Sequence, residues 1–282
     1  MSSRARRWIA ALGAVAVLAG CGGQSPPASI PVAATDDAES QLIAWLYVAA
    51  LRYYGNPAHV QTAADPLAQL DSGEATVVPG FTGRLLVRFE PTAAARADEQ
   101  VYRKLLAALP EGLAAGDYTI SAEDKPALAV TERTADGWGA RDVAAFVRRC
   151  ADVSVGAVEG SRPPRHVGSC TVAAKPFPDT ESMFAALESD VVRAAWTTAA
   201  SPDVPSDVAV LADERSFVRA ENIVPLYRRN ELNESQVLAL NEIAGVLDTG
   251  SLADMRRQIA EGADPGLVAD EWLQSHPLGV GG

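Results

Sequence analysis

Histidine, cysteine and lysine are all scarce in this chain of 282 residues: there are three His, three Cys, and Lys only as Lys104, Lys125 and Lys175. So few imidazoles and thiols leave no complete Cys₄ or Cys₂His₂ zinc site once one cysteine is assigned elsewhere, and no metal is expected. Basic residues form no cluster in the body of the chain, so no stripe exists to track phosphates and nucleic acid is not an expected partner. The patterns G-x-S-x-G, H-E-x-x-H, the P-loop and a strand-following G-x-G-x-x-G are all absent. His59, His166 and His276 have no recognisable partners and read as surface residues. Neither catalysis nor a cofactor is therefore expected. Beyond residue 20 no window reaches about 18 uninterrupted apolar residues, the length a spanning helix needs. Aromatic residues make up only 6%.

What is present is a globular composition: 48% hydrophobic and 21% charged, with a net charge of -12. That is enough apolar material for one large domain or two modest ones. The N-terminus places Arg4, Arg6 and Arg7 before an apolar run from Trp8 to Ala19, and the run ends in Leu18-Ala19-Gly20-Cys21. A run that short, closed by small residues and a cysteine, is similar to a bacterial lipoprotein leader. Residues 1–20 are then expected to be removed, Cys21 to carry the acyl chains (palmitate among them), and residues 21–29 to form a tether. Loss of the leader arginines makes the body more acidic than the whole chain. Anionic headgroups would repel it, so the lipid must do the anchoring at the extracytoplasmic face of the cell membrane.

Cys150 and Cys170 remain, and in an oxidising compartment they are expected to pair. Apolar residues from Gln41 to Tyr54 recur at helical spacing until Gly55-Asn56-Pro57 stops them. Asp65-Pro66 supplies an N-cap and first-turn proline for a short helix, and Gly73 sits where a terminating glycine belongs. Further helices are expected at about residues 97–109 and 142–149, and from Asn233 to Leu278 with two breaks. In that last stretch Leu238, Ile243, Leu247, Ile259, Val268 and Leu273 are the expected buried positions. Strands are expected at 75–78, 118–120, 127–130, 153–155 and 208–211. One pattern occurs twice. Leu67 to Glu74, a strand and Phe81-Thr82 are echoed by Phe184 to Asp190, a strand and Trp196-Thr197-Thr198. Two α/β lobes of similar plan would each deliver an aromatic and a hydroxyl near a strand's carboxyl end, where open α/β sheets bind ligands. Phe81 and Trp196 are equally readable as core aromatics.

Three stretches resemble a known family: Glu39 to Ala44, Leu70 to Glu74 with Pro79-Gly80-Phe81-Thr82-Gly83, and Leu232-Asn233-Glu234 through Gly262-Ala263-Asp264-Pro265 to Leu273. In this order they are similar to the osmoprotectant substrate-binding proteins of bacterial ABC importers, which bind glycine betaine, carnitine and choline. The resemblance spans about Val32 to Leu278. It implies an α/β fold of the two-lobe type II periplasmic-binding-protein class with a hinge crossed twice. Lobe I would be 30–115 and 207–282, and lobe II 116–206. It also implies a monomer that takes a small solute in the interlobe cleft and presents it to an ABC permease by closing.

The family holds quaternary ammonium groups against aromatic faces, because a cation without N–H donors is bound by cation–π attraction. Here the resemblance implies ligand contacts from Thr35, Asp36, Asp37, Phe81, Thr82, Trp196, Thr197, Thr198 and Asn222. Trp138 is a further, more distant ring. Several of the family's ring positions are replaced: its second-lobe Tyr-Ala-Leu reads Pro126-Ala127-Leu128, and another Tyr falls at Asn222 to Val224. Asp36 and Asp37 could contact a different small cation or cap the helix after them. Lys125 could meet a ligand carboxylate or lie in a surface turn. Phe81→Ala and Trp196→Ala are expected to remove ligand response without unfolding the protein. The rival reading is a binding-protein scaffold turned to envelope interaction or sensing.

Overall fold

The computed structural model describes residues 28–279. The leader, Cys21 and most of the tether lie outside the described residues.

The first sheet is built from β1 (Ile30–Ala34), β2 (Ala58–Thr62), β3 (Val77–Phe81) and β4 (Leu113–Ala115), with a late strand, Ile223–Arg228, inserted between β3 and β4. β1 pairs in parallel with β2 and β3, while the late strand runs antiparallel to β3 and β4. Successive residues of β1 enter opposite cores: Val32 and Ala34 face one, Ala33 the other. Both faces are covered, which is why these strands read as continuous apolar runs. α1 (Ala38–Tyr53) covers one face. α2 (Pro66–Ser72), α3 (Thr82–Phe89) and α4 (Asp98–Ala108) serve the other.

Local chemistry sets the starts of these helices. Asp37 accepts a hydrogen bond from the Ser40 amide and caps α1, and Asp65 does the same for the Ala68 amide of α2. Gly73 ends α2 at φ 83°, a left-handed conformation that a side chain would disfavour. Asp36 and Asp37 thus resolve toward capping, with Asp37 the cap and Asp36 exposed.

The second sheet holds β5 (Pro126–Thr131), β6 (Val155–Val158), β9 (Ala174–Phe177), β10 (Ala194–Thr198) and β11 (Val208–Val210), in the order β11-β5-β10-β6-β9. A small hairpin, β7 (His166–Val167) with β8 (Cys170–Thr171), stands outside it. α5 (Glu132–Trp138) and α6 (Val143–Val147) pack on one face and α7 (Thr180–Glu188) on the other. Cys150, just after α6, is bonded to Cys170, with their Cα atoms 6.2 Å apart, and so ties the hairpin to this core. The expected disulfide is present.

The late strand of the first sheet is β12 (Ile223–Arg228), and α8 (Glu234–Val246), α9 (Thr249–Ala260) and α10 (Pro265–Ser275) follow it. They join α1 in the largest core. The chain therefore passes from one sheet to the other twice, through residues 116–125 and 211–222. The two passages touch: Glu123 bridges Asn222, and the Asp124 amide donates to the Glu221 carbonyl at 2.9 Å.

Three expectations are corrected. β11 pairs with β5, so residues 208–210 belong with the second lobe and the expected boundary at 207 moves later; Val218 is still part of that core. Residues 118–120 form no strand. Their backbone instead serves the crossing, with the Thr119 amide donating to the Ile223 carbonyl and the Thr119 hydroxyl to Ala122. Finally, Leu238 is 47% exposed while Leu240 is wholly buried, because α8 turns Ala239, Leu240 and Ile243 toward α1.

Candidate functional site

The carboxyl ends of β1, β2 and β3 open into a recess of about 310 Å³, lined by Thr35, Ser40, Asp65, Phe81, Arg84 and Arg88 among others. A second recess, of about 340 Å³, lies at the ends of β6 and β10 and includes Arg162, Thr180, Trp196, Thr197, Thr198 and Arg256. These are the edges at which an open α/β sheet receives ligands. Arg256 comes from α9 of the first lobe, yet lines the second lobe's recess.

Glu39 joins the two. Its carboxylate lies 3.0 Å from the Arg84 guanidinium and 3.2 Å from that of Arg256. Arg256 also stands 2.9 Å from the Asp124 carboxylate and donates to the Ala200 carbonyl at 3.0 Å. Asp124 in turn accepts from the Ala200 amide at 2.8 Å. Segments from both lobes and the crossing thus meet on four charged side chains. Burial, with the Asp124 carboxylate alongside, pushes the Glu39 carboxyl up to about 7 against the pull of the two guanidiniums.

A third carboxylate underlies this cluster. Glu221, on the returning passage, is buried and accepts from the Arg84 backbone amide at 2.8 Å, at the N-terminus of α3. Burial lifts its carboxyl to about 7, opposed by the amides and charge of Arg84 and its neighbours. Close approach here requires glycine at position 83: a Cβ there would stand 2.5 Å from the Ala220 carbonyl and 2.7 Å from the Glu221 carboxylate.

The residues singled out in the sequence divide into groups. Thr35 and Phe81 line the first recess, and Trp196, Thr197 and Thr198 line the second. Thr82 and Asn222 are brought together but turned on each other. The Asn222 amide nitrogen of the backbone donates to the Thr82 hydroxyl, the Thr82 amide to the Asn222 carbonyl, and the Asn222 side chain to the Thr119 carbonyl. Both are buried parts of the hinge. Phe81 and Trp196 are each only 5% exposed and each belongs to a core cluster. The Phe81 ring carries the Arg84 guanidinium, 4.2 Å from its centroid. Trp138 packs beneath Arg149 on the second lobe's core, away from either recess. Lys125 is held by Glu123 at 3.1 Å and lies near Asp213, so it is a half-buried ion-pair member and lines neither recess.

Sequence reasoning missed Glu39, Arg84, Asp124, Glu221 and Arg256. Glu39 and Arg256 fell within stretches that resemble the family, but nothing in the local spacing brings the five together; the double crossing does.

Residues 171–275 match a family described as the substrate binding domain of the ABC-type glycine betaine transport system. No curated protein matches the sequence. Among solved structures, a glycine betaine/carnitine/choline ABC transporter protein superposes with a TM-score of 0.75 at 16% identity, covering 88% of this chain and 98% of the other. Apo YehZ from Escherichia coli superposes at 0.70 with 19% identity and the same coverage. An ABC-transporter choline binding protein in complex with choline gives 0.53 at 12% identity, covering 88% of each chain. At these identities the structures show the fold, which is that of type II periplasmic binding proteins. The resemblance read from the sequence therefore has support on two counts: residues 171–275 are similar to the substrate binding domain of the ABC-type glycine betaine transport system, and the two-lobed fold is shared with these solved structures.

Proposed function

We propose that the protein is a lipid-anchored, extracytoplasmic solute-binding protein of an ABC importer, acylated at Cys21 and delivering a small compatible solute to a membrane permease. The observation that carries this reading is the junction at Glu39, where the ligand-receiving edges of the two lobes adjoin across a doubly crossed hinge. A solute touching both edges would stabilise the closed arrangement over the open one. A quaternary amine of the glycine betaine kind comes from the family description. The rings give it little support, since Phe81 is covered by Arg84 and Trp196 is mostly buried.

The test is a thermal-shift and small-angle-scattering screen of the purified protein with compatible solutes, amino acids, small carboxylates and sugars. A bound solute at 100 times its Kd adds about 2.7 kcal/mol of stability, and closure should reduce the radius of gyration. Silence across the whole set, with the fold intact, counts against solute binding. For the anchor, Cys21→Ser should move the protein from the membrane fraction to the soluble one and abolish incorporation of labelled palmitate.

A further inference from the structure

The first-lobe recess is lined by two guanidiniums, those of Arg84 and Arg88, and Glu221 lies buried behind the first of them. Glu221 places a carboxylate on the Arg84 amide at the start of α3, and Arg84 lays a guanidinium on the Phe81 ring, 4.2 Å from its centroid. A ligand cation would have to displace that guanidinium to reach the ring. We propose that this recess accepts a carboxylate group, held between Arg84 and Arg88, and rejects a quaternary ammonium. The proposal rests on the solute-binding reading above and names the chemical class of its ligand.

Four observations support it. Arg84 and Arg88 lie four residues apart on α3, on one helical face, and both line the recess. The Arg84 side chain is 52% exposed and spends one side-chain N–H on Glu39, leaving the rest of its fork without a partner among the described residues. Arg88 is exposed and has no ion pair among the described residues. Asp65, which lines the recess, accepts from the Ala68 amide, and the acids close in sequence to its Thr35 and Ser40 wall are engaged too: Asp37 accepts from the Ser40 amide, and Glu39 is shared between Arg84 and Arg256. A guanidinium fork with free donors matches a carboxylate in geometry as well as charge. The Ser40 hydroxyl on the recess wall can complete the set, while the Thr35 hydroxyl is spent on Asp37 and Ser40.

Isothermal titration of the purified protein with succinate, glutamate, glycine betaine and choline tests this. Succinate or glutamate should bind and choline should not, because choline offers a cation and no carboxylate. Arg84→Ala and Arg88→Ala should each weaken the acid by about tenfold or more, and Arg84→Ala, by uncovering Phe81, should admit choline. Arg84→Lys keeps the charge without the fork and should recover part of the acid affinity, which a merely misfolded Arg84→Ala could not explain. Choline binding to the unaltered protein, or acid binding indifferent to both arginine substitutions, overturns the proposal and leaves the solute-binding reading standing. No response to any of the four overturns both.

Discussion

The Asp124 carboxylate stands 2.9 Å from the Arg256 guanidinium at the point where the chain first crosses between its sheets. Asp124 is almost wholly buried, and its other oxygen accepts from the Ala200 amide. Removing Arg256 would leave two carboxylates, Asp124 and Glu39, facing each other with Arg84 alone to offset them. Breaking one side of a buried pair costs more than the pair is worth, because a desolvated charge is left behind. Arg256→Met, which keeps the apolar stem, should lower unfolding free energy by about 3 kcal/mol in urea. A loss below about 1 kcal/mol would place this pair among ordinary surface contacts.

Glu221 gives the protein a pH dependence of definite sign. Burial raises its carboxyl from the ordinary 4.5 to about 7, so between those values the native state binds a proton that the unfolded chain has released. The associated stability is complete below the unfolded value and is lost as pH rises through about 7. Glu221→Gln, an isostere of the protonated acid, should flatten that decline, with a gain over the unaltered protein on the order of 3 kcal/mol at pH 8 and close to none at pH 4. Glu39 carries the same sign, so part of the slope should persist. Chemical unfolding at a series of pH values reads both. A stability that rises from pH 5 to 8 would contradict the assignment.

The elements were legible in the sequence where their causes are local. Asp65-Pro66 and Gly73 bound α2 as their capping chemistry requires, and the apolar period of residues 41–54 marks α1. The two-lobed plan was legible through family resemblance. The site was legible only in outline. Thr35, Phe81, Trp196, Thr197 and Thr198 do reach the two recesses, but Thr82 and Asn222 are consumed by each other in the hinge. The echo of Phe81-Thr82 by Trp196-Thr197 also breaks down. Phe81 ends a strand and Thr82 opens a helix, whereas Trp196 lies within β10 and turns to the core. Period and spacing identify a strand and its faces. They do not show that Arg256, far along a twice-crossing chain from both Asp124 and Glu39, will reach the two acids at once.

That distinction changes what alanine at the two rings should do. Both are buried, so Trp196→Ala and Phe81→Ala should each cost about 3 to 5 kcal/mol, the range for deleting a core aromatic. Their stability loss, seen by thermal or urea unfolding without any ligand, should precede any effect on binding. This corrects the expectation that the rings can be removed at no cost to the fold. Near-native stability of either variant would return its ring to the cleft.

The disulfide should act on the second lobe alone. Cys150 and Cys170 are 20 residues apart in sequence and fasten the β7–β8 hairpin to the core around Phe146 and Trp196. Replacing both with Ser should lower stability by about 3 kcal/mol, chiefly by freeing the unfolded chain. Hydrogen exchange should report faster opening in residues 153–177, with little change in α1 and α8–α10. Equal loosening of both lobes would mean that they unfold as one unit.

Gly83 offers a test of the hinge contact itself. It lies in the first turn of α3 with an ordinary backbone conformation, so no strain follows from its φ, and its need for hydrogen in place of a side chain comes entirely from its neighbours. A methyl group would meet the Ala220 carbonyl at 2.5 Å and the Glu221 carboxylate at 2.7 Å. The Glu221 side chain could move aside, at the expense of its bond from the Arg84 amide; the Ala220 carbonyl is backbone, and its own residue is held by the Arg96 carbonyl. Gly83→Ala should therefore destabilise by about 1 to 3 kcal/mol, as overpacking does. In a double-mutant cycle, Glu221→Ala should relieve only part of the penalty, because the carbonyl remains. Full relief would show that the carboxylate, and not the crossing backbone, sets the spacing between α3 and the returning chain.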